Sequence, residues 1–269
     1  MKRAFSFGGG RQSTAALVLA ARGDLNTDLF IFANVGDDAE NPDTLEYIER
    51  YSKPYAAAHG IELVEVQRRF RDGRDPSLYQ YVLNEKKSVA IPVRMADTGA
   101  PGNRKCTYDW KIRVVTHYLK RVRRWVPPWE VQLGISWDES FRMSDADTLI
   151  DGISYQKTYP LCDLRLRTED CLRIVRDAGL PEPPKSSCWF CPYHDLKAWA
   201  KLRLHRPDLF DKSVALEKQV SDRRVAMGLD GVFLTNRLKP LDVAVPEGAE
   251  QLGLFGDEDA ACTTGYCWT

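Results

Sequence analysis

No apolar run in the chain approaches the roughly 20 residues that a membrane-spanning helix needs, which excludes a span of that kind. Net charge is lacking too: 38 Lys and Arg balance 38 Asp and Glu over 269 residues. Wholesale electrostatic binding to a polyanion is therefore not expected. The opening Met1-Lys2-Arg3-Ala4-Phe5-Ser6-Phe7 is too short in apolar length for a signal peptide and runs straight into a glycine cluster. The expected location is the cytoplasm. Cysteine is absent before Cys106, and the total of seven is odd. Without an export signal, that count argues against a disulfide framework. Internal repeats and low-complexity segments are also missing. What is present is ordinary for a globular chain, 43% hydrophobic and 28% charged. That is enough for one large α/β domain, or a main domain with a small appendage.

The apolar pattern predicts strands at 3–7, 29–35 and 61–66, with helices at 13–21 and 44–58 between them. The run Leu29-Phe30-Ile31-Phe32-Ala33-Asn34-Val35 has the near-continuous hydrophobicity of a strand buried on both faces of a parallel sheet. This alternation implies right-handed crossovers. The stretch 68–101 reads as a peripheral excursion, 110–122 as a helix, and 131–135 as a further strand. Beyond Asp151 the pattern changes to short helices, turns and cysteines. The expected architecture is a doubly wound parallel α/β sheet with a cysteine-bearing helical C-terminal portion. Its parts are a nucleotide-binding domain at 1–150, the helical portion at 151–242 and an irregular tail at 243–269.

Gly8-Gly9-Gly10-Arg11-Gln12-Ser13 lies between the first strand and the first helix. Glycines there let backbone N–H groups close around phosphate oxygens, because no Cβ obstructs them. The helix start adds unpaired donors and partial positive charge, Ser13 a hydroxyl and Arg11 a full charge. One glycine would serve a tight turn; three in a row favour phosphate. The segment is neither a Walker loop nor a dinucleotide-binding fingerprint.

The loop resembles the pyrophosphate loop, S-G-G-x-D-S, of the adenine nucleotide alpha-hydrolase superfamily, in particular its PAPS reductase-like branch. Gly8 stands at the family's serine and Gln12 at its aspartate. Two more segments are similar: Asn34-Val35-Gly36-Asp37 after the second strand, with Asn34 at the usual aspartate, and Leu133-Gly134-Ile135-Ser136 leading to Asp138, Glu139, Ser140 and Arg142. The resemblance implies an adenine nucleotide, ATP with magnesium, held by Gly8, Gly9, Gly10, Arg11, Gln12, Ser13, Asn34, Val35, Gly36, Gly134, Ile135, Glu139 and Arg142. Arg11 and Ser13 are the expected catalytic residues. A capped helix after Asn41-Pro42-Asp43 and a solvated loop after Ile135 are the plainer readings of those two segments.

Cys188-Trp189-Phe190-Cys191-Pro192 turns two thiols toward one centre, which suits zinc, an iron–sulfur cluster or a redox pair. The thioredoxin-like βαβ context of a redox motif is missing. The order of Arg104-Lys105-Cys106-Thr107 with Lys111, then Tyr159-Pro160-Leu161, then Asp170-Cys171, then this motif resembles a prokaryotic and phage-borne subgroup of the same superfamily. That likeness implies Cys106, Cys171, Cys188 and Cys191 as ligands of an iron–sulfur cluster, with zinc as the alternative. Packed thiols at Cys106 and Cys171 are the competing reading, and Cys162 reads as core.

Residues 104–124 carry eight basic side chains against Asp109. A solvated helix face is the plain reading; RNA or a ribonucleoprotein is the alternative partner, and a homo-oligomer is left open. The expected function is an enzyme acting at the α-phosphate, by pyrophosphate release or adenylation, with sulfur transfer among the outcomes. The alternatives are a sulfonucleotide reductase and a nucleotide-bound accessory subunit of a CRISPR or phage-defence complex. The reductase reading ranks lower because neither Cys262 nor Cys267 has the preceding glutamate, following glycine and nearby histidine of that group. A thiol without a neighbouring cation stays near its ordinary range and is a weak nucleophile.

Overall fold

The computed structural model describes residues 1–70, 76–84, 89–144, 148–150 and 153–249. In chain order the elements are β1 (Arg3–Phe7), α1 (Arg11–Arg22), β2 (Leu29–Asn34), α2 (Pro42–Tyr47), α3 (Lys53–Ala58), β3 (Leu63–Gln67), α4 (Leu78–Asn84) and β4 (Arg94–Met95). They continue with α5 (Arg113–His117), β5 (Glu130–Leu133), β6 (Thr148–Ile150), β7 (Ile153–Thr158), α6 (Pro160–Asp163) and α7 (Thr168–Asp177). The last are α8 (Leu196–His205), α9 (Pro207–Ala226), β8 (Val232–Phe233) and α10 (Leu241–Ala244). Wider turns of π type join α2 to α3 and flank α5, so 42–58 and 106–122 are each one continuous helical stretch. Among the described residues, Cα-contact density divides the chain into two units, one within Met1–Asp75 and Thr107–Ser187, the other within Pro76–Cys106 and 188–249.

In the first unit the sheet order is β3-β2-β1-β5-β7-β6. The first five strands are parallel and β6 runs antiparallel to β7. Alternate residues of β2 explain the two-sided burial. Leu29, Ile31 and Ala33 face a layer with Val115 and Leu119, while Phe30 and Phe32 face Leu17, Ile48 and Val175. Helices thus cover both faces, as expected for a doubly wound α/β sheet. Each fully buried Phe or Leu of these layers contributes about 2 kcal/mol of apolar burial. Helix α1 ends where Gly23 takes a left-handed φ of 82° and its N–H closes onto Ala20 O and Leu19 O.

The region after Asp151 differs from the expected short helices and turns. Ile153–Thr158 adds a parallel strand beside β5, in register Glu130↔Gln156. Its alternating Ile153 and Tyr155 are buried, but polar residues between them mask the strand in sequence. Helix α9 spans 20 residues, longer than expected.

The second unit is built on α9, against which α4, α8, β8 and α10 pack. A two-stranded antiparallel ribbon pairs β4 with β8, so the excursion at 68–101 supplies part of this unit. Glu217 of α9, buried, accepts the Leu234 and Leu241 N–H groups at 2.6 and 2.8 Å and fixes the chain after β8. Among the described residues, no helix is long and apolar enough to cross a membrane. Cys262 and Cys267 lie outside the described residues.

Candidate functional site

Strand order places β1 in the middle, with β2 and β3 to one side and β5 and β7 to the other. The crevice outside the carboxyl ends of β1 and β5 is therefore the point where the winding reverses, the usual ligand position in open α/β sheets. Gly8, Gly9, Gly10 and the start of α1 lie at one side of it, and Gly134 to Ser136 at the other. They meet directly: a Cβ on Gly134 would lie 3.5 Å from both Gln12 Cβ and Ser13 N.

Gly9 has a φ of +75°, and a Cβ there would come within 2.7 Å of Ile48 and 2.8 Å of Thr44. Its lack of a side chain thus serves the loop's own packing as well as its turn. Gly10 is the extended N-cap and has no side chain to cap with. Instead the Ser13 hydroxyl accepts the Gly10 N–H and donates to the Gly10 carbonyl, both at 3.0 Å. Ser13, expected as a catalytic hydroxyl, is a buried local brace. The first intrahelical bond runs from Thr14 N to Gly10 O. Among the described residues, the N–H groups of Arg11, Gln12 and Ser13 meet no acceptor. A helix of 12 residues thus presents three free donors at its positive end.

Gln12 spans the crevice. Its amide donates toward Ser136 at 3.5 Å, Glu139 at 3.2 Å and Thr168 at 3.4 Å. Glu139 is paired with Arg142 at 2.8 Å. Asp138 accepts the Thr168 N–H at 2.9 Å and its hydroxyl at 2.8 Å. Burial alone would raise the Asp138 carboxyl, but the bonds from Thr168 and Ser136 hold it below the usual carboxylate range. Both acids are engaged by protein groups.

At the end of β2, Asn34 donates to Asp37 and Glu65, both at 2.7 Å, and its oxygen accepts Gly36 N–H at 2.8 Å. Its side chain is spent on shaping the loop, and the Gly36 carbonyl in turn accepts the Ala39 and Glu40 N–H groups, both at 2.9 Å. Ile135 is buried in the core, and its carbonyl takes the Cys162 thiol at 3.2 Å. Glu40, a few residues beyond Gly36, is buried with one carboxyl oxygen lacking a partner. Burial raises this carboxyl, and the Lys111 ammonium opposes the rise.

Sequence reasoning gave the segment 180–187 no role. It lies over the glycine loop: Glu182 pairs with Arg11 at 2.8 Å, and Tyr47 OH donates to Pro181 O at 2.7 Å. A Cβ on Gly10 would sit 2.7 Å from Ser186 Oγ.

Of the four expected ligands, Cys171 is placed as a packed thiol. Cys171 is fully buried in the apolar layer under α1, with Leu161 and Val175, and burial pushes its thiol up to about 12. Among the described residues no group of three or more His, Cys, Asp or Glu is placed to hold a metal ion. The Cys188–Cys191 turn is closed by Cys191 N–H on Cys188 O at 3.2 Å, and Trp189 and Phe190 pack on Tyr79 with centroids 5.1 and 5.7 Å away. Cys106, Cys188 and Cys191 are half-buried. Native protein at pH 8 is therefore expected to leave Cys171 unlabelled by a thiol reagent, and Cys171→Ser to cost about 1–3 kcal/mol in urea unfolding. Rapid native labelling of Cys171 would contradict its place in that layer.

Part of the basic segment is neutralised within the first unit. Arg123 grips Glu62 at 2.7 and 2.9 Å, and Arg113 pairs with Asp109 at 3.2 Å.

No family model and no curated protein matches the chain. Among solved structures, the U34-tRNA thiolase NcsA from Methanococcus maripaludis, determined with its [4Fe-4S] cluster, superposes with a TM-score of 0.43. The identity is 15%, covering 82% of this chain and 72% of that one. A superposition that loose places no residue of this chain in a site.

Proposed function

We propose that the chain is an adenine-nucleotide-using enzyme that acts at the α-phosphate of ATP, releasing pyrophosphate or adenylating an acceptor. The observation that carries this reading is the free N–H row of Arg11, Gln12 and Ser13 at the winding-reversal crevice. Helix N-termini with free N–H groups bind phosphate, and at this one the first turn holds no acidic side chain. In the reaction an acceptor oxygen attacks the α-phosphorus, the bond to the bridging oxygen of the β-phosphate breaks, and pyrophosphate leaves. The α1 N-terminus and Arg11 stabilise the charge that grows on that leaving group. Adenine chemistry in particular rests on the similarity of the loop to the pyrophosphate loop of the adenine nucleotide alpha-hydrolases.

Gly9 is a poor place to test this, because a side chain there collides with Ile48 and Thr44 inside the protein. Arg11 is better. It stands at the first helical position after an extended Gly10, a place that accepts proline. Arg11→Ala and Arg11→Pro both lose the guanidinium, but only the second loses the N–H. Arg11→Pro is expected to bind ATP about tenfold more weakly than Arg11→Ala at equal melting temperature. Equal affinities by calorimetry would remove the phosphate reading of this helix.

A further inference from the structure

We propose that Glu182 is an internal anion that holds the place of a phosphate on Arg11 and so selects ligands with a phosphate chain over nucleoside monophosphates. This rests on the reading that α1 binds nucleotide phosphate. Arg11 Nη2 donates to Glu182 Oε1 at 2.8 Å, while Arg11 Nε, on the same edge of the guanidinium, is buried with no acceptor. That edge fits two oxygens of one carboxylate or phosphate. Glu182 satisfies only half of it.

The carboxylate is presented to Arg11 by a held segment. Pro181, Pro183 and Pro184 restrict the backbone around it. Tyr47 OH fixes the Pro181 carbonyl at 2.7 Å, and Leu180 packs on the apolar layer beneath α1. The side chains of Arg11 and Glu182 are 39% and 46% exposed, so water screens the pair and its strength is small. A phosphate bearing more charge and two suitably spaced oxygens outcompetes such a partner.

A monophosphate has one anionic group, which the free N–H row of α1 occupies, and Glu182 stays on Arg11. Pyrophosphate and ATP carry a further phosphate, which satisfies Nε and Nη2 together and displaces Glu182. Glu182 thus costs every ligand that needs Arg11 and leaves the others untouched.

Calorimetric titration of wild type, Glu182→Gln and Arg11→Ala with ATP, inorganic pyrophosphate and AMP tests this. Glu182→Gln keeps the size of a partly exposed side chain and is expected to fold as wild type, checked by its melting temperature. It should bind ATP and pyrophosphate about three- to fivefold more tightly, with AMP unchanged. Arg11→Ala should abolish that gain in the double variant. A Glu182→Gln protein with unchanged or weaker pyrophosphate affinity, or with all three ligands shifted alike, overturns the proposal while leaving the nucleotide reading standing. Wild type that binds none of the three overturns both.

Discussion

Glu217→Ala is expected to destabilise the second unit by about 3 kcal/mol, read as a lower urea midpoint in the fluorescence of Trp199. The carboxylate is buried and is the acceptor for two backbone donors, Leu234 N–H at 2.6 Å and Leu241 N–H at 2.8 Å. Alanine leaves both donors in a dry site without a partner, the costly direction of hydrogen-bond loss. The same residue sets a pH dependence. Burial outweighs the two N–H bonds and raises the carboxyl from 4.5 to about 7. Between those values the folded chain holds a proton that the unfolded chain has released. Stability therefore falls as pH rises from about 4.5 to about 7 and is level above that, by up to about 3 kcal/mol. Urea midpoints should show this decline in wild type and a flatter profile in Glu217→Gln. A slope that survives the substitution unchanged would assign the titration elsewhere.

Gly134→Val is the substitution expected to damage the candidate site most. A Cβ on Gly134 already comes within 3.3 Å of Phe5 Cζ and 3.5 Å of Ser13 N. The two further methyl groups of valine need the space of Gln12 and the first turn of α1. Overpacking of this kind costs about 1–3 kcal/mol. The larger effect is on function, because the free N–H row moves relative to β5. On the proposed function, a displacement of about 1 Å is expected to lower pyrophosphate release from ATP on the order of 100-fold. Gly134→Ala, which adds only the Cβ, should retain most of the activity. Wild-type turnover in Gly134→Val would show that the two sides of the crevice do not work together.

Much of the first unit was legible in the sequence. The apolar runs of β1 and β2 and the Ala- and Leu-rich α1 follow local rules, because strands buried on both faces leave no polar alternation to misread. Strand β7 was missed for the opposite reason, since its Ser154, Gln156 and Lys157 dilute the signal. The two departures from the pyrophosphate-loop pattern, Gln12 and Asn34, acquire a shared explanation only in three dimensions. Each amide faces carboxylates, Gln12 toward Glu139 and Asn34 between Asp37 and Glu65. An aspartate at either position would meet like charge where an amide donates.

The sequence by itself determined the parallel sheet, the glycine turn and the helix that follows it, because each depends on periodicity and on residues adjacent in the chain. Only the tertiary structure decided which groups remain for chemistry. It spent Ser13 on Gly10, buried Cys171 in an apolar layer, and brought Glu182 onto Arg11 from 171 residues away. Availability depends on the partners that folding brings near, and those partners are remote in sequence.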